Sequence, residues 1–321
     1  MGGLWAAHHN PPGAIIMKYV APSAPLSIGG VLDNWIRLFR TSFAGCWAFA
    51  LAAAAAGAVA QFMYTPTLPT PGLRPLQAWM QLSQFSSGES GPGVFLVDIL
   101  LGFITLLAYG ALLTQQEAVV RGEEPFALGA AFTKGLRRIP QMLLGFIVLI
   151  LIIVAIFIPV GIVGGVLYPL RQMPLVMLCL GVIAVSVVIL LIYVLVRMQV
   201  WMAVMFSENL GGPSSLGRTW ELMKGHWWRV TGIAFVSGVV IWVLSMATGG
   251  MIGMVIGFVG IRGTSPDLLV RRVQIIGAAG EVARLLTMPL LTAVWLAIYQ
   301  DLKLRREGGD LAARTEALSG T

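Results

Sequence analysis

From Gln141 to Val166 the chain runs without one charged side chain, and five other stretches come close to that. A helix crosses the hydrocarbon of a bilayer with about 20 apolar residues. Six such spans are read, at about 43–63, 93–115, 141–166, 174–206, 229–259 and 273–300. None shows the alternation of a β-barrel strand. Charged residues are only 11% of the chain, against 57% hydrophobic. Soluble domains carry roughly 25% charged residues, so water is a poor solvent for this surface. A helix apolar on all sides is stable facing lipid.

The basic residues fall on alternating sides of these spans. Lys18, Arg37, Arg40, Arg121, Lys134, Arg137, Arg138, Arg197, Arg218, Lys224, Arg229, Lys303, Arg305, Arg306 and Arg314 share one side. Arg74, Arg171, Arg262, Arg271 and Arg272 share the other, and Arg284 lies inside the sixth span. Short loops rich in Lys and Arg stay in the cytoplasm. The expectation is a multi-pass membrane protein with both termini cytoplasmic. The net charge of +7 is a consequence of this topology, and no basic domain for nucleic acid accompanies it.

Residues 1–24 lack the charged segment and apolar core of a secretory signal. They read as a flexible extension, with Met17 an alternative start. The membrane domain is expected over 25–303, with a polar, mobile cytoplasmic tail over 304–321. The loop of 64–92, broken by Pro66, Pro69, Pro71 and Pro75, reads as an external cap.

Each odd span follows a similar segment: Pro25 to Gly29, Pro125 to Gly129, and Pro213 to Gly217. An aliphatic residue stands three places after each proline, at Ile28, Leu128 and Leu216. Helical spacing then puts Leu32, Trp35, Ile36, Phe39 and Phe43 on one face of the first copy. It does the same for Leu128, Phe132, Leu136 and Ile139, and for Leu216, Trp220, Met223 and Trp227. This pattern predicts three pseudo-repeats, at about 25–115, 125–206 and 213–300. Each is a hairpin of two spans preceded by an amphipathic interfacial helix. Such helices set aromatic residues at headgroup depth and basic residues toward anionic lipid. The candidate headgroup contacts are Arg37, Arg40, Lys134, Arg137, Arg138, Arg218, Lys224, Trp227, Trp228 and Arg229. Each even span closes on an acid, Glu117, Glu208 or Asp301, placed to meet the amino end or basic residues of a neighbouring interfacial helix.

The stretch from Arg197 to Arg229 resembles a segment of a family of bacterial six-helix membrane proteins. That family includes the membrane domain fused to some glycerophosphodiester phosphodiesterases and the YciC-like inner-membrane proteins. Trp220, Met223, Gly225, Trp227 and Trp228 match its tryptophan-rich run, with Met223 in place of a leucine. Leu26 to Asp33 is similar to the family's opening. The resemblance implies the membrane domain alone, since phosphodiesterase chemistry belongs to a separate soluble barrel.

Catalytic constellations are not visible. Histidine occurs at His8, His9 and His226 only, with no HExxH pairing. Gly88-Glu-Ser-Gly-Pro92 departs from a nucleophile elbow at its last residue. Cys46 and Cys179 make neither a disulfide framework nor a zinc cage and read as buried small hydrophobes. No cofactor is expected. Ionisable groups inside spans are the better pointers: Asp98, Arg197, Glu281 and Arg284. Asp98 is expected to approach Arg284, and Arg197 to face the bundle or snorkel to phosphate. Pro159, Gly161, Gly164 and Gly165 in the third span, and Gly249, Gly253 and Gly257 in the fifth, are expected to form packing faces, with broken helices as the alternative. The expected function is non-catalytic, engaging anionic lipid or a partner, a second copy included, through the interfacial helices. The alternative is a transporter or channel built from the hairpins.

Overall fold

The computed structural model describes residues 19–63, 92–170, 173–251 and 266–319. Among them every regular element is a helix. Six stretches are long and apolar enough to cross a membrane: Ile28–Met63, Leu96–Val120, Leu128–Leu170, Pro174–Ser207, Trp227–Gly250 and Val273–Gly308. The chain is a multi-pass α-helical membrane protein. The physical reason is the solvent: hydrocarbon offers no partner for a peptide group, and a helix satisfies its own. The N-terminal extension as far as residue 18, with His8 and His9, lies outside the described residues, as do residues 64–91, Gly253 and Gly257.

The elements are α1 (Ile28–Met63), α2 (Pro92–Val120), α3 (Leu128–Leu167), α4 (Pro174–Met198), α5 (Trp201–Ser207), α6 (Gly212–Leu222), α7 (Trp227–Ser245), α8 (Pro266–Gly280) and α9 (Arg284–Ser319). A π-turn, Met246–Gly250, prolongs α7, and a 3-10 turn, Glu281–Ala283, joins α8 to α9. α1 lies between α2 and α9; α3 packs on α2, α4 and α6; α7 touches α9, α4 and α1. At one end α2, α5 and α9 meet one another. Most of the core gathers there, around Leu113, Val204, Met205, Leu296 and Leu302.

The amphipathic segments differ from one another. In the first two copies the segment is the leading part of the spanning helix itself, within 36 and 40 residues of unbroken helix. At 1.5 Å per residue these reach about 54 and 60 Å, well beyond the ~30 Å of hydrocarbon. Only the third copy, α6, is a separate helix. Its chain turns through Gly225 at φ +80° before α7 begins, a backbone angle that suits glycine.

The residues that turn inward lie largely beside the large apolar stripes rather than along them. In α1 the buried face is Val31, Asn34, Trp35, Leu38 and Ser42, while Ile36 is exposed. In α3 it is Ala131, Gly135, Ile139 and Met142, while Leu128, Phe132 and Leu136 are exposed. Small residues allow backbones to approach, so they take the protein side, and the large apolar stripe is left for lipid. Likewise Cys46 is buried but Cys179 is exposed. Beyond Gly145 no side chain of α3 is fully buried, and none of α4 is before Val194, which hydrocarbon permits.

α3 continues without a break through Pro159, and Gly161, Gly164 and Gly165 have open space around them. They form neither a packing face nor a broken helix within this chain. Gly249 behaves as expected: a Cβ there would lie 3.3 Å from Cα of Gly280. The fourth span is interrupted at Gln199 and Val200, between α4 and α5. α9 runs on to Ser319, so helix replaces the expected mobile tail through that residue.

A close backbone approach joins α2 to α3. A Cβ on Gly135 would stand 2.9 Å from the backbone nitrogen of Ala111 and 3.2 Å from the carbonyl carbon of Gly110. Gly135→Val is therefore expected to destabilise the protein by about 1–3 kcal/mol through overpacking. Gly164→Val, in open space, is expected to leave the unfolding midpoint unchanged. Thermal unfolding of both variants in detergent checks the contrast.

Candidate functional site at the basic end

The end where α2, α5 and α9 meet also holds the acids that close the even spans. Asp301, 2% exposed, gathers three donors. The Leu26 backbone N–H donates to Oδ1 at 3.0 Å, Arg229 Nε donates to Oδ2 at 2.9 Å, and Arg305 Nε donates to Oδ2 at 3.1 Å. Nη2 of both arginines also donates to the Leu26 carbonyl at 2.6 Å. The peptide ahead of α1 is thus held on both sides. Beside it the Gln300 carbonyl oxygen accepts from Tyr19 Oη at 2.9 Å and Asn34 Nδ2 at 3.1 Å. Burial pushes the Tyr19 phenol above its ordinary pKa.

Glu208 takes Arg218 in a fork, at 2.9 and 3.2 Å, and accepts from Tyr299 Oη at 3.1 Å. Arg218 also meets Glu307 at 2.5 Å. The Glu208 carboxylate holds the Arg218 guanidinium above its usual pKa. Glu117 meets Arg121 at 3.1 Å and accepts from Ser207 Oγ at 2.7 Å.

These pairs sort the candidate headgroup contacts. Arg218 and Arg229 are committed to internal carboxylates, contrary to a role as free lipid contacts. Arg37 pairs with Asp33 on an exposed face. Trp227 donates to the Tyr193 carbonyl at 3.3 Å, while Trp228 is exposed beside it. Arg40 and Lys224 are exposed.

Lys134, Arg137 and Arg138 behave otherwise. With Arg121 they line a cavity of about 420 Å³ between α2, α3 and the turn at Asn209. Glu117 and Glu123 also line it, so four cations face two carboxylates. Lys134 Nζ sits 3.3 Å over the centre of the Phe126 ring, and Arg138 Nη1 donates to Gln141 at 2.7 Å and the Leu210 carbonyl at 3.3 Å. Among the described residues none of Lys134, Arg137 and Arg138 forms an ion pair. Asn209, at φ +59°, shapes one wall. The exposed stripe Leu128, Phe132 and Leu136 runs along the same helix.

Arg197 faces the bundle, 7% exposed. Its guanidinium stacks 3.6 Å over the Trp220 ring centre, donates to the Trp220 carbonyl at 3.0 Å, and donates to Tyr193 Oη. Aromatic faces stand in for a carboxylate there. At the other end of the sixth span Arg284 pairs with Glu281 at 2.5 Å. The expected approach of Asp98 to Arg284 is not among the ion pairs of the described residues: Glu281, one turn away on the same chain segment, takes that place. Asp98 is exposed on α2. Sequence reasoning passed over Asn34, Gln116 and Gln300. Gln116 donates to the Pro289 carbonyl at 2.8 Å. The signal was present, since a polar residue directly precedes each closing acid.

Asp301→Ala would leave Arg229 and Arg305 without their carboxylate. Removing one partner of a buried charge network costs about 3 kcal/mol. Asp33→Ala breaks an exposed pair worth about 0.5 kcal/mol. Unfolding midpoints are expected to fall sharply for the first variant and barely for the second.

Among the described residues no group of three or more His, Cys, Asp and Glu side chains is placed to hold a metal ion. Comparisons with protein-family models, curated proteins and solved structures find no match to this chain.

Proposed function

We propose that this chain is a non-catalytic integral membrane protein that engages anionic lipid headgroups at its basic end, with that end facing the cytoplasm of a bacterial inner membrane. The observation that carries the reading is the cavity beside α3, where Lys134, Arg137 and Arg138 form no ion pair among the described residues. A phosphate is the natural counter-ion for such a cluster. Leu128, Phe132 and Leu136 on the same helix offer acyl chains an apolar track. At about 100° per residue that stripe lies on the face of α3 opposite the three basic residues, so the cavity alone carries the headgroup contact.

Orientation rests on the excess of Lys and Arg at this end. The placement of Glu117, Glu208 and Asp301 at one end supports reading the chain as three repeats. Arg40 and Lys224 extend the basic surface, whereas Arg218 and Arg229 serve to fasten it together.

Each Lys or Arg near an anionic surface contributes about 1 kcal/mol. Replacing Lys134, Arg137 and Arg138 by Gln is therefore expected to weaken phosphatidylglycerol binding roughly 100-fold. Phosphatidylcholine binding is expected to stay as it was. Native mass spectrometry of protein released from mixed vesicles measures both. Equal retention of the anionic lipid by parent and variant would overturn the assignment.

A further inference from the structure

A second cavity, of about 250 Å³, lies far from the basic end, between α2, α7 and α9. Thr105, Tyr109, Ser245, Arg284 and Thr287 supply its polar lining, and Ile241, Met288 and Leu291 supply apolar wall. Arg284 stands 17 residues before Asp301, about 25 Å along the helix, within the hydrocarbon.

The hydroxyls there are exceptional in this chain. Between Ile28 and Gly308, every other serine or threonine among the described residues donates a hydrogen bond, mostly to a carbonyl of its own helix. That is the default for a hydroxyl in hydrocarbon, because an unmade hydrogen bond is costly there. Thr105, Ser245 and Thr287 are the three that donate none, and all three line this one cavity. The Tyr109 hydroxyl beside them is also unbonded among the described residues, although its ring packs on Trp295 at 5.7 Å. Three helices thus contribute unbonded hydroxyls to a single space.

We infer that this cavity is a binding site for a small uncharged polyhydroxyl or similarly polar solute. Charge selects the class. Arg284 is already neutralised by Glu281 at 2.5 Å, so an ion of either sign would leave a net charge in hydrocarbon. A neutral solute adds none. Each hydroxyl both donates and accepts, which suits a ligand carrying hydroxyls of its own, and the apolar wall suits its carbon skeleton. The volume equals about eight waters at ~30 Å³ each, enough for a molecule of glycerol size with hydration. This site is separate from the basic cavity and does not depend on lipid contact there.

The test uses the full chain in phosphatidylcholine nanodiscs, with tritiated glycerol as probe in a scintillation-proximity assay. Saturable binding is expected, displaced by erythritol and not by potassium acetate or choline chloride. The combined variant T105V/S245A/T287V is expected to lose binding at least about tenfold. Those substitutions remove no hydrogen bond, so the variant is expected to unfold at or above the parent's midpoint and to keep its phosphatidylglycerol binding. Absence of saturable binding, displacement by acetate or choline, or equal binding by the variant would each overturn the inference.

Discussion

Hydrocarbon offers a polar group nothing to bond to, and the rest of this structure follows from that. Each peptide is satisfied inside its own helix. Nearly every helix hydroxyl turns back on its own backbone. The acids that close the even spans gather with their arginines at one end, where Asp301 ties Leu26, Arg229 and Arg305 into a single knot. Pro289 illustrates the same demand within a span. Gln116 and Trp35, from α2 and α1, donate to the carbonyls of Pro289 and Leu290, so the proline becomes a point where three helices are fastened.

The same constraint separates two kinds of polar group. Arg218 and Arg229 are basic residues at the headgroup boundary, yet they act inward, because Glu208 and Asp301 lie within reach. Lys134, Arg137 and Arg138 lie within about one turn of α3 and share their cavity with Glu117 and Glu123, yet form no ion pair among the described residues. A basic residue at this end thus divides by whether it reaches the acid that closes a span.

Much of the fold was legible because charge is so scarce. The spans stand out by what they lack, and the closing acids Glu117, Glu208 and Asp301 stand out against that background. Partners were not legible. Leu26 and Asp301 are 275 residues apart, and no local pattern joins them. Asp98 was the natural long-range choice for Arg284, but Glu281 lies one turn away, and a neighbour on the same segment needs no chain closure. The interior face of α3 was not legible either: large apolar residues mark a core in water, whereas in lipid the small residues Ala131 and Gly135 mark it. Nothing in the sequence sets Thr105, Ser245 and Thr287 apart from Thr114 or Ser237. Only the packing of three helices shows which hydroxyls lack a bond.

The hairpin formed by α3 beyond Gly145 and the first half of α4 isolates the role of the lipid best, since none of its side chains is fully buried by protein. Hydrogen–deuterium exchange of the full chain in lipid nanodiscs measures its shielding directly. Amides from 147 to 163 and from 178 to 192 are expected to be protected as strongly as those of the protein-packed segment from Leu106 to Gln116. Exchange of the hairpin at the rate of a solvated helix would mean that water surrounds it, and would contradict a membrane-embedded fold.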